Sequence, residues 1–141
     1  MTSTPLTADN LARLGKFLEP SRIAIVATIY QNGMPHLTPN WFVFDGGRIA
    51  ISTTKERIKY RNLARDARMS VCIFSELTAA DYVTVSGPVS ISDGDSIWPV
   101  TRHIIERYVP AEHVEERVAQ LRKQNRVILS LSPESVVFRA R

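Results

Sequence analysis

Residues 23–53 read IAIVATIYQNGMPHLTPNWFVFDGGRIAIST, and this stretch decides the fold. It contains three runs rich in β-branched and aromatic residues, at 23–30, 35–44 and 48–53. Asn32-Gly33 and Gly46-Gly47 separate the runs, and such dipeptides adopt the positive φ angles of tight hairpin turns. The pattern therefore predicts three antiparallel strands joined in a meander.

The segments on either side of this meander complete a predicted barrel. Apolar residues recur at helical spacing over 8–18, and Pro20 ends that helix. Gly87-Pro88 lies inside a strand pattern and predicts a bulge or bend of the kind that barrel corners require. Further strands are predicted over 69–74, 83–92, 127–131 and 135–138, with helices over 97–109 and 112–123. About seven strands with peripheral helices indicate a small antiparallel barrel.

Length and composition fit a single domain over residues 1–141. The chain is 44% hydrophobic and 23% charged, and a chain of this size can bury a core without disulfides or metals. Cys72 is the sole cysteine, so no internal disulfide forms. The first twenty residues lack the apolar stretch of a signal peptide, and no apolar run approaches the roughly eighteen residues of a membrane span. We expect a soluble, cytoplasmic protein without a membrane partner.

Segment 55–68 carries the net positive charge of the chain. It holds six basic and two acidic residues, a net +4 that equals the formal net charge of all 141 residues. Nucleic-acid-binding surfaces usually spread basic residues over a larger face and interleave them with aromatic residues, whereas Tyr60 is the one aromatic residue here. The concentrated charge fits an anionic group on a small ligand at least as well.

Common catalytic and metal-binding motifs are missing from the sequence. There is no G-x-S-x-G elbow, phosphate-binding G-x-x-x-x-G-K-[ST] loop, G-x-G-x-x-G fingerprint or paired-cysteine motif. His36, His103 and His113 lie far apart without metal-ligand spacing, so we predict no metal site. No side chain is assigned as a catalytic acid or base. If the protein catalyses a reaction, we expect a cofactor to carry the reactive atoms.

The first candidate site is the junction between the third strand and a predicted helix. Thr53 and Glu56 have the spacing of a capping box, so the helix is predicted from Thr53 to about Asp66. A helix N-terminus favours anions through its free amide groups and its dipole. The candidate ligand-binding residues are Ser52, Thr53, Thr54, Arg57, Lys59 and Asn62. The alternative is a capped basic helix exposed to solvent.

The second candidate site is the strand at 35–44. Pro35 and Pro39 cannot donate hydrogen bonds to a neighbouring strand, so this strand is expected at a sheet edge or interrupted. Free backbone groups there could bind a flat heterocycle. The alternative is an ordinary core strand in which Trp41, Phe42 and Phe44 pack.

Taken together, these segments resemble a known superfamily. Residues 35–74, PHLTPNWFVFDGGRIAISTTKERIKYRNLARDARMSVCIF, are similar to the pyridoxamine 5′-phosphate oxidase-like split β-barrel superfamily. Within them, the run R-x-K-x-R-N-L-x-R-D at 57–66 is most similar to coenzyme F420-dependent flavin/deazaflavin oxidoreductases. The likeness extends to V-T-V-S-G-P at 83–88 and to RVILSLSPESVVF at 126–138. It implies a mainly β fold, a six- or seven-stranded antiparallel split β-barrel.

The resemblance also implies an arrangement of cofactor and subunits. Members of the superfamily are homodimers with cofactor sites at the subunit interface. The resemblance places the cofactor phosphate against Thr53, Thr54, Arg57, Lys59 and Asn62, and the ring near Thr38, Pro39, Asn40 and Trp41. The chain lacks the basic C-terminal motif that binds a vitamin B6 substrate in true pyridoxamine phosphate oxidases.

Three functions remain open at this point. The first is an oxidoreductase that moves a hydride between reduced coenzyme F420 and a small organic substrate. The second is an FMN-binding oxidase or reductase of the same fold. The third is a non-catalytic module, either a flavin or deazaflavin carrier or a nucleic-acid binder that uses the basic helix.

Overall fold

The computed structural model describes residues 4–139, which form one antiparallel sheet system and four α-helices. The strands are β1 (Thr4–Pro5), β2 (Ala24–Ile29), β3 (Pro35–Asn40), β4 (Val43–Asp45), β5 (Arg48–Thr54), β6 (Arg68–Phe74), β7 (Tyr82–Ser92), β8 (Arg126–Leu131) and β9 (Ser135–Arg139). The helices are α1 (Ala8–Phe17), α2 (Ile58–Arg65), α3 (Trp98–Tyr108) and α4 (Val114–Arg122). Single 3-10 turns precede α3 and α4.

The mainly β barrel class predicted from the sequence is confirmed, and each predicted strand is present. Two short strands add to the predicted number. One is β1, and the other is β4, which is separate because the chain leaves the sheet at Trp41 and Phe42. The edge position predicted from the two prolines is also confirmed, since β2 is the one strand among residues 4–139 with which β3 pairs.

Strand β7 joins the two halves of the barrel. The sheet order is β3-β2-β6-β7-β8-β5-β4, and β9 pairs with the first half of β7. Residues 82–86 of β7 pair with β9, whereas residues 89–92 pair with β8. The strand changes neighbour at the predicted Gly87-Pro88 bend. A Cβ atom on Gly87 would stand 2.0 Å from the backbone oxygen of Ser132.

Alternating burial along the strands builds a core inside the barrel. One face of each long strand is apolar and buried, and Leu14 and Leu18 from the α1 segment close the core. Buried members include Val26, Phe42, Ile51, Val71, Val85 and Leu129. A second, smaller cluster covers the outer face of β4, β5 and β8, where Ala50 and Ile128 pack against Ile104 of α3.

Arg107 and Tyr108 attach α3 to the ends of β2 and β3. The Arg107 guanidinium donates to the carbonyl of Phe42 at 2.8 Å and to three carbonyls in the 18–20 turn. The Tyr108 hydroxyl donates to the carbonyl of Arg22 at 2.5 Å. The bond to Phe42 satisfies a backbone oxygen at the point where the strand 35–44 is interrupted, and the other bonds connect α3 to the segment between α1 and β2.

The predicted capping box at Thr53 is wrong. Thr53 lies in β5, α2 begins five residues later at Ile58, and Arg57 occupies the N-cap position without a side-chain capping bond. The reason is strand pairing, because β5 continues to pair with β8 as far as Thr54 opposite Arg126. A turn then follows, in which the Arg57 amide donates to the Thr54 carbonyl at 3.1 Å.

Among residues 4–139, no helix is long and apolar enough to cross a membrane.

The close approach at Gly87 generates a stability prediction. Gly87→Ala should lower the free energy of unfolding by more than about 2 kcal/mol, because backbone atoms of two strands must move apart. Gly15→Ala is the control. It lies inside α1 with its nearest contact, a Phe44 ring atom, at 3.3 Å, and should change stability by no more than about 1 kcal/mol. Urea denaturation measures both, and equal small effects would contradict the prediction.

Candidate functional site

A cavity of about 440 Å³ lies between the end of β3, the paired strands β5 and β8, and helices α3 and α4. Its volume is within the range of small-molecule sites. One side is apolar and is formed mainly by the helices, while the other carries polar and cationic groups. The lining residues are Ile23, Pro39, Asn40, Trp41, Ser52, Thr101, Ile104, Ile105, Arg117, Leu121 and Arg126.

The pairing of β5 with β8 supplies the polar side of this cavity. Side chains alternate along β5, so Ser52 and Thr54 share the face that α3 covers, as Ala50 does. Arg126 stands directly opposite Thr54, and its Nη1 donates to Ser52 Oγ at 3.4 Å. Thr53 points to the opposite face and is 3% exposed. Of the predicted threonine pair, Thr54 therefore lies on the cavity side and Thr53 inside the barrel.

At the end of β3, hydrogen bonds to Thr38 fix the orientation of the Asn40 side-chain amide. The Asn40 amide nitrogen donates to the Thr38 carbonyl at 2.9 Å and to Thr38 Oγ1 at 3.0 Å. Thr38 therefore orients Asn40, which lines the cavity beside Pro39. Pro39 is an exposed edge-strand residue, and its ring is part of the cavity wall.

Trp41 forms a flat aromatic wall at the mouth of the cavity. Its ring stacks on Tyr108 with a centroid distance of 5.0 Å and an interplanar angle of 5°. Tyr108 is held in turn by its hydroxyl bond to Arg22. The guanidinium carbon of Arg117 lies 5.6 Å from the Trp41 ring centroid, which is within cation–π range. Trp41 therefore contacts the Tyr108 ring and lies close to the Arg117 guanidinium, and both Trp41 and Arg117 line the cavity.

Four cations, Arg57, Lys59, Arg117 and Arg126, act on one another electrostatically, and two of them, Arg117 and Arg126, line the cavity. Lys59 is 5% exposed, and burial together with the charges of Arg57 and Arg126 lowers its pKa to about 8. Burial, Arg57 and Arg117 lower the pKa of Arg126. The ion pairs that join described residues involve none of these four side chains. Lys59 is buried, Arg126 is half-buried, and Arg57 and Arg117 are exposed. A buried ammonium with like charges acting on it is unfavourable, so an anion bound beside Lys59 would be stabilised.

Asn62 is hydrogen-bonded within the protein. Its Nδ2 donates to Thr28 Oγ1 at 3.0 Å, and its Oδ1 accepts from Arg65 Nη2 at 3.3 Å. Arg65 also donates to the carbonyl of Ile29. These bonds attach α2 to β2 and hold Lys59, one turn earlier on the same buried face, close to the barrel.

The structure brings four of the predicted site residues together in one cavity, which Pro39, Asn40, Trp41 and Ser52 line. Arg57 and Lys59 are not among its lining residues, but the charges of Arg57 and of the lining residue Arg126 act on Lys59. Thr53 and Asn62 lie inside the protein instead. Whether the predicted residues bind a cofactor stays a prediction.

Arg117 and Arg126 are the site residues that sequence reasoning missed. Neither lies in the basic segment 55–68, and although Arg126 begins the stretch RVILSLSPESVVF at 126–138, no ligand-binding role was predicted for it. Arg126 directly precedes the strand predicted over 127–131. A strand pattern, however, does not show which other strand this one pairs with. The pairing of Arg126 opposite Thr54 brings it to the cavity, where it donates to Ser52 Oγ.

No group of three or more His, Cys, Asp or Glu side chains that could hold a metal ion occurs in the described part of the chain.

Comparison with solved structures finds the same fold in proteins with different functional descriptions. The conserved hypothetical protein Rv2991 from Mycobacterium tuberculosis is 26% identical, with a TM-score of 0.77 over 94% of this chain and 84% of that protein. An F420 reductase is 23% identical, with a TM-score of 0.68 over 86% and 94% of the two chains. The heme storage protein HutZ from Vibrio cholerae is 19% identical, with a TM-score of 0.72 over 90% and 92%.

No curated protein matches the chain. The sequence model of one family, pyridoxamine 5′-phosphate oxidase, does match, and the match covers residues 12–140. It spans all the long strands and both groups of site residues described above. The chain therefore belongs to the pyridoxamine 5′-phosphate oxidase family.

Proposed function

We propose that the protein is a coenzyme F420-dependent oxidoreductase that transfers a hydride between the reduced deazaflavin and a small organic substrate. The observation that carries this proposal is a group of four cations, Arg57, Lys59, Arg117 and Arg126, that form no ion pair with a carboxylate among residues 4–139. Two of them, Arg117 and Arg126, line a cavity together with Trp41. Family membership and the resemblance of residues 57–66 to F420-dependent enzymes support it.

The residues present fit an anionic ring cofactor. Arg57, Lys59 and Arg126 would hold its phosphate, with the hydroxyl of Thr54 on the same face as Arg126. Residues 39–41 would contact the ring through the Asn40 amide and the Trp41 side chain. In this proposal Thr53 and Asn62 hold β5 and α2 in place from inside the protein.

The extent of the cationic group favours F420 over FMN. Positive charge continues from Lys59 through Arg126 to Arg117, along one side of the cavity. FMN carries a single phosphate, whereas F420 carries a phosphodiester and several glutamate carboxylates. A ligand with more than one anionic group would neutralise more of these charges. FMN is the second candidate, because its phosphate would fit the same three cations.

When bound, the deazaflavin ring supplies the hydride chemistry. The residues of this chain bind and orient it, and the apolar helix residues Ile104, Ile105 and Leu121 limit the access of water to the cavity. We assign no side chain as an acid or base.

We further propose that the protein is a homodimer, joined through the outer face of the sheet formed by β3, β2, β6 and β7. Strand register places a mainly apolar row on that face: Pro39, Ile25, Cys72, Thr84 and Val137. Leu37, on the same face of β3, is 61% exposed in the single chain. Since Pro39 also lines the cavity, a second subunit on this face would lie close to the cofactor site.

Titration with the two cofactors tests the proposed function. The purified protein should bind F420 with a shift in the deazaflavin absorption band and bind FMN at least about tenfold more weakly. Hydride transfer to a panel of small electrophilic substrates would then be followed by loss of the reduced-cofactor spectrum. Tight binding of FMN with no response to F420 would favour the second candidate.

Variants of the cationic group test where the cofactor binds. Arg57→Ala and Arg126→Ala should each weaken F420 binding by at least about tenfold, because each removes a charge-assisted bond of roughly 1.5–3 kcal/mol. Arg61→Ala is the matched control. It removes an exposed arginine from the same helix and should change affinity less than about twofold. Equal losses in all three variants would show that general attraction, and not a site, binds the anion.

An aspartate on the outer sheet face tests the dimer. Leu37→Asp should convert the protein to a monomer in light scattering at micromolar concentration, because a charge would be buried between subunits. Leu77→Asp is the control, since Leu77 is fully exposed in the turn between β6 and β7. A Leu37→Asp variant that stays dimeric would refute the proposed interface.

The lowered pKa of Lys59 predicts a pH-dependent effect on stability. The folded protein holds a charged Lys59 less favourably than the unfolded chain does, so the cost is complete below pH 8 and disappears as the pH rises towards 10.5. At pH 7 without anions, Lys59→Met should be more stable than the native protein by roughly 1–3 kcal/mol. The difference should shrink between pH 8 and 10 in urea denaturation. A variant that is less stable across this range would contradict the prediction.

A further inference from the structure

A second cavity, of about 350 Å³, lies at the junction of α3 and α4. Its volume is within the range of small-molecule sites. Trp41 and Arg117 line both this cavity and the one described above, so the two cavities are neighbours. We propose that the second cavity binds an aromatic α-amino acid, a small zwitterion with a carboxylate, an ammonium group and a flat apolar ring.

One wall of the second cavity is aromatic and held in a fixed orientation. The Trp41 ring lies on the Tyr108 ring with a centroid distance of 5.0 Å and an interplanar angle of 5°. The Tyr108 hydroxyl donates to the Arg22 carbonyl at 2.5 Å, which anchors the ring pair. Val109 and Pro110 continue this wall. Because the rings are already ordered, a flat ligand that packs against them pays little for ordering the protein.

The opposite wall carries two charges of opposite sign. Glu116 and Arg117 are exposed neighbours on α4, and both line the cavity. No ion pair joins them to each other, and none joins Arg117 to a carboxylate among residues 4–139. Glu116 has the Nδ1 atom of His113 at 3.9 Å, a pair that is ionic only while the imidazole is protonated. The cavity therefore presents an anion and a cation that do not neutralise each other.

A zwitterion matches this pair of charges better than a singly charged ligand does. A simple carboxylate would bind Arg117 but be repelled by Glu116, and a simple amine would meet the reverse problem. An α-amino acid carries both charges on one carbon atom, so each charge finds its opposite on the same helix. Gln120, one turn further along α4, lines the cavity with an amide that donates and accepts hydrogen bonds.

The ring and the two charges must act together to give specific binding. Ion pairs at exposed positions contribute little individually, because water and salt screen them. A ligand that pairs with both charges and also packs its ring on the aromatic wall combines three modest contributions. We therefore expect the affinity to depend on all three groups of the ligand.

The shared wall couples the second cavity to the first. The Arg117 guanidinium carbon lies 5.6 Å from the Trp41 ring centroid, and the same guanidinium faces both cavities. A carboxylate bound to Arg117 would compete with an anion in the first cavity for that group. Coupling between two sites is reciprocal, so each ligand should weaken the binding of the other by the same factor. This coupling rests on the proposed function, whereas the amino-acid site itself does not.

Calorimetric titration of the intact protein with four matched compounds tests the proposal. L-Phenylalanine has all three groups, 3-phenylpropionate lacks the ammonium, 2-phenylethylamine lacks the carboxylate, and L-alanine lacks the ring. L-Phenylalanine should bind with a millimolar or lower dissociation constant, and at least about fivefold more tightly than each of the others. No binding of L-phenylalanine, or equal binding of all four compounds, would overturn the proposal.

Charge variants on α4 test which side chains recognise the ligand. Glu116→Gln should weaken L-phenylalanine at least about fivefold and strengthen 3-phenylpropionate, because the repulsion of its carboxylate is removed. Arg117→Gln should weaken L-phenylalanine and strengthen 2-phenylethylamine. Glu112→Gln and Arg122→Gln are the matched controls, since both residues are exposed and neither lines this cavity. Equal effects of all four substitutions would show that general surface charge binds the compounds, and would overturn the site.

Trp41 fluorescence tests where the ring of the ligand binds. Trp98 is the other tryptophan of the chain, so Trp98→Phe leaves Trp41 as the single reporter. L-Phenylalanine should change the Trp41 emission with the dissociation constant that calorimetry gives for the native protein. Binding that leaves this emission unchanged would place the ligand elsewhere and overturn the proposal.

Titration with cofactors distinguishes this inference from the proposed function. If F420 and FMN both fail to bind while the native protein binds L-phenylalanine as described, the proposed function fails and the amino-acid site stands. If F420 binds and L-phenylalanine does not, the amino-acid site fails alone. If both bind, saturating F420 should raise the dissociation constant of L-phenylalanine at least about threefold. Independent binding of the two ligands would overturn the shared role of Arg117.

Discussion

Strand β7 runs through both halves of the barrel, and its close backbone contact at Gly87 is the constraint on which the strand register and the candidate site depend. At Gly87 the backbone comes so close to the Ser132 carbonyl that no side chain fits. Backbone bonds close this crossing, with the Ser132 amide donating to the Pro88 carbonyl and the Glu134 amide to the Ser86 carbonyl, both at 2.9 Å. They set the register of β8 against β7 and β5, and that register places Arg126 opposite Thr54.

The candidate site contains an unfavourable electrostatic arrangement. Elsewhere, the buried polar side chains of Asn62 and Thr28 are hydrogen-bonded to each other. Lys59 is buried where the charges of Arg57 and Arg126 act on it, and no ion pair among residues 4–139 joins it to a carboxylate. Such an arrangement lowers the stability of the isolated chain, and an anionic ligand would reverse that effect. Unfavourable electrostatics retained in a well-packed protein are a physical reason to look for function there.

Fold alone does not decide the activity. Solved proteins with this fold include an F420 reductase and a heme storage protein, at 23% and 19% identity. The choice among these functions therefore depends on the chemistry of one cavity. Cations that extend from Lys59 to Arg117, beside the Trp41 ring, suit a planar cofactor with several anionic groups better than they suit a nucleic-acid backbone.

Local patterns were sufficient to predict the strands, the hairpin turns at Gly33 and Gly46-Gly47, and the Gly87 bend, because alternation and backbone freedom act over a few residues. The helix start at Thr53 was predicted wrongly because pairing with β8, more than 70 residues away, overrides a local capping pattern. The basic segment was visible in the sequence. The closeness of Arg126 and Arg117 to this segment could not be predicted from the sequence, because strand register and helix packing are long-range properties that no local spacing encodes.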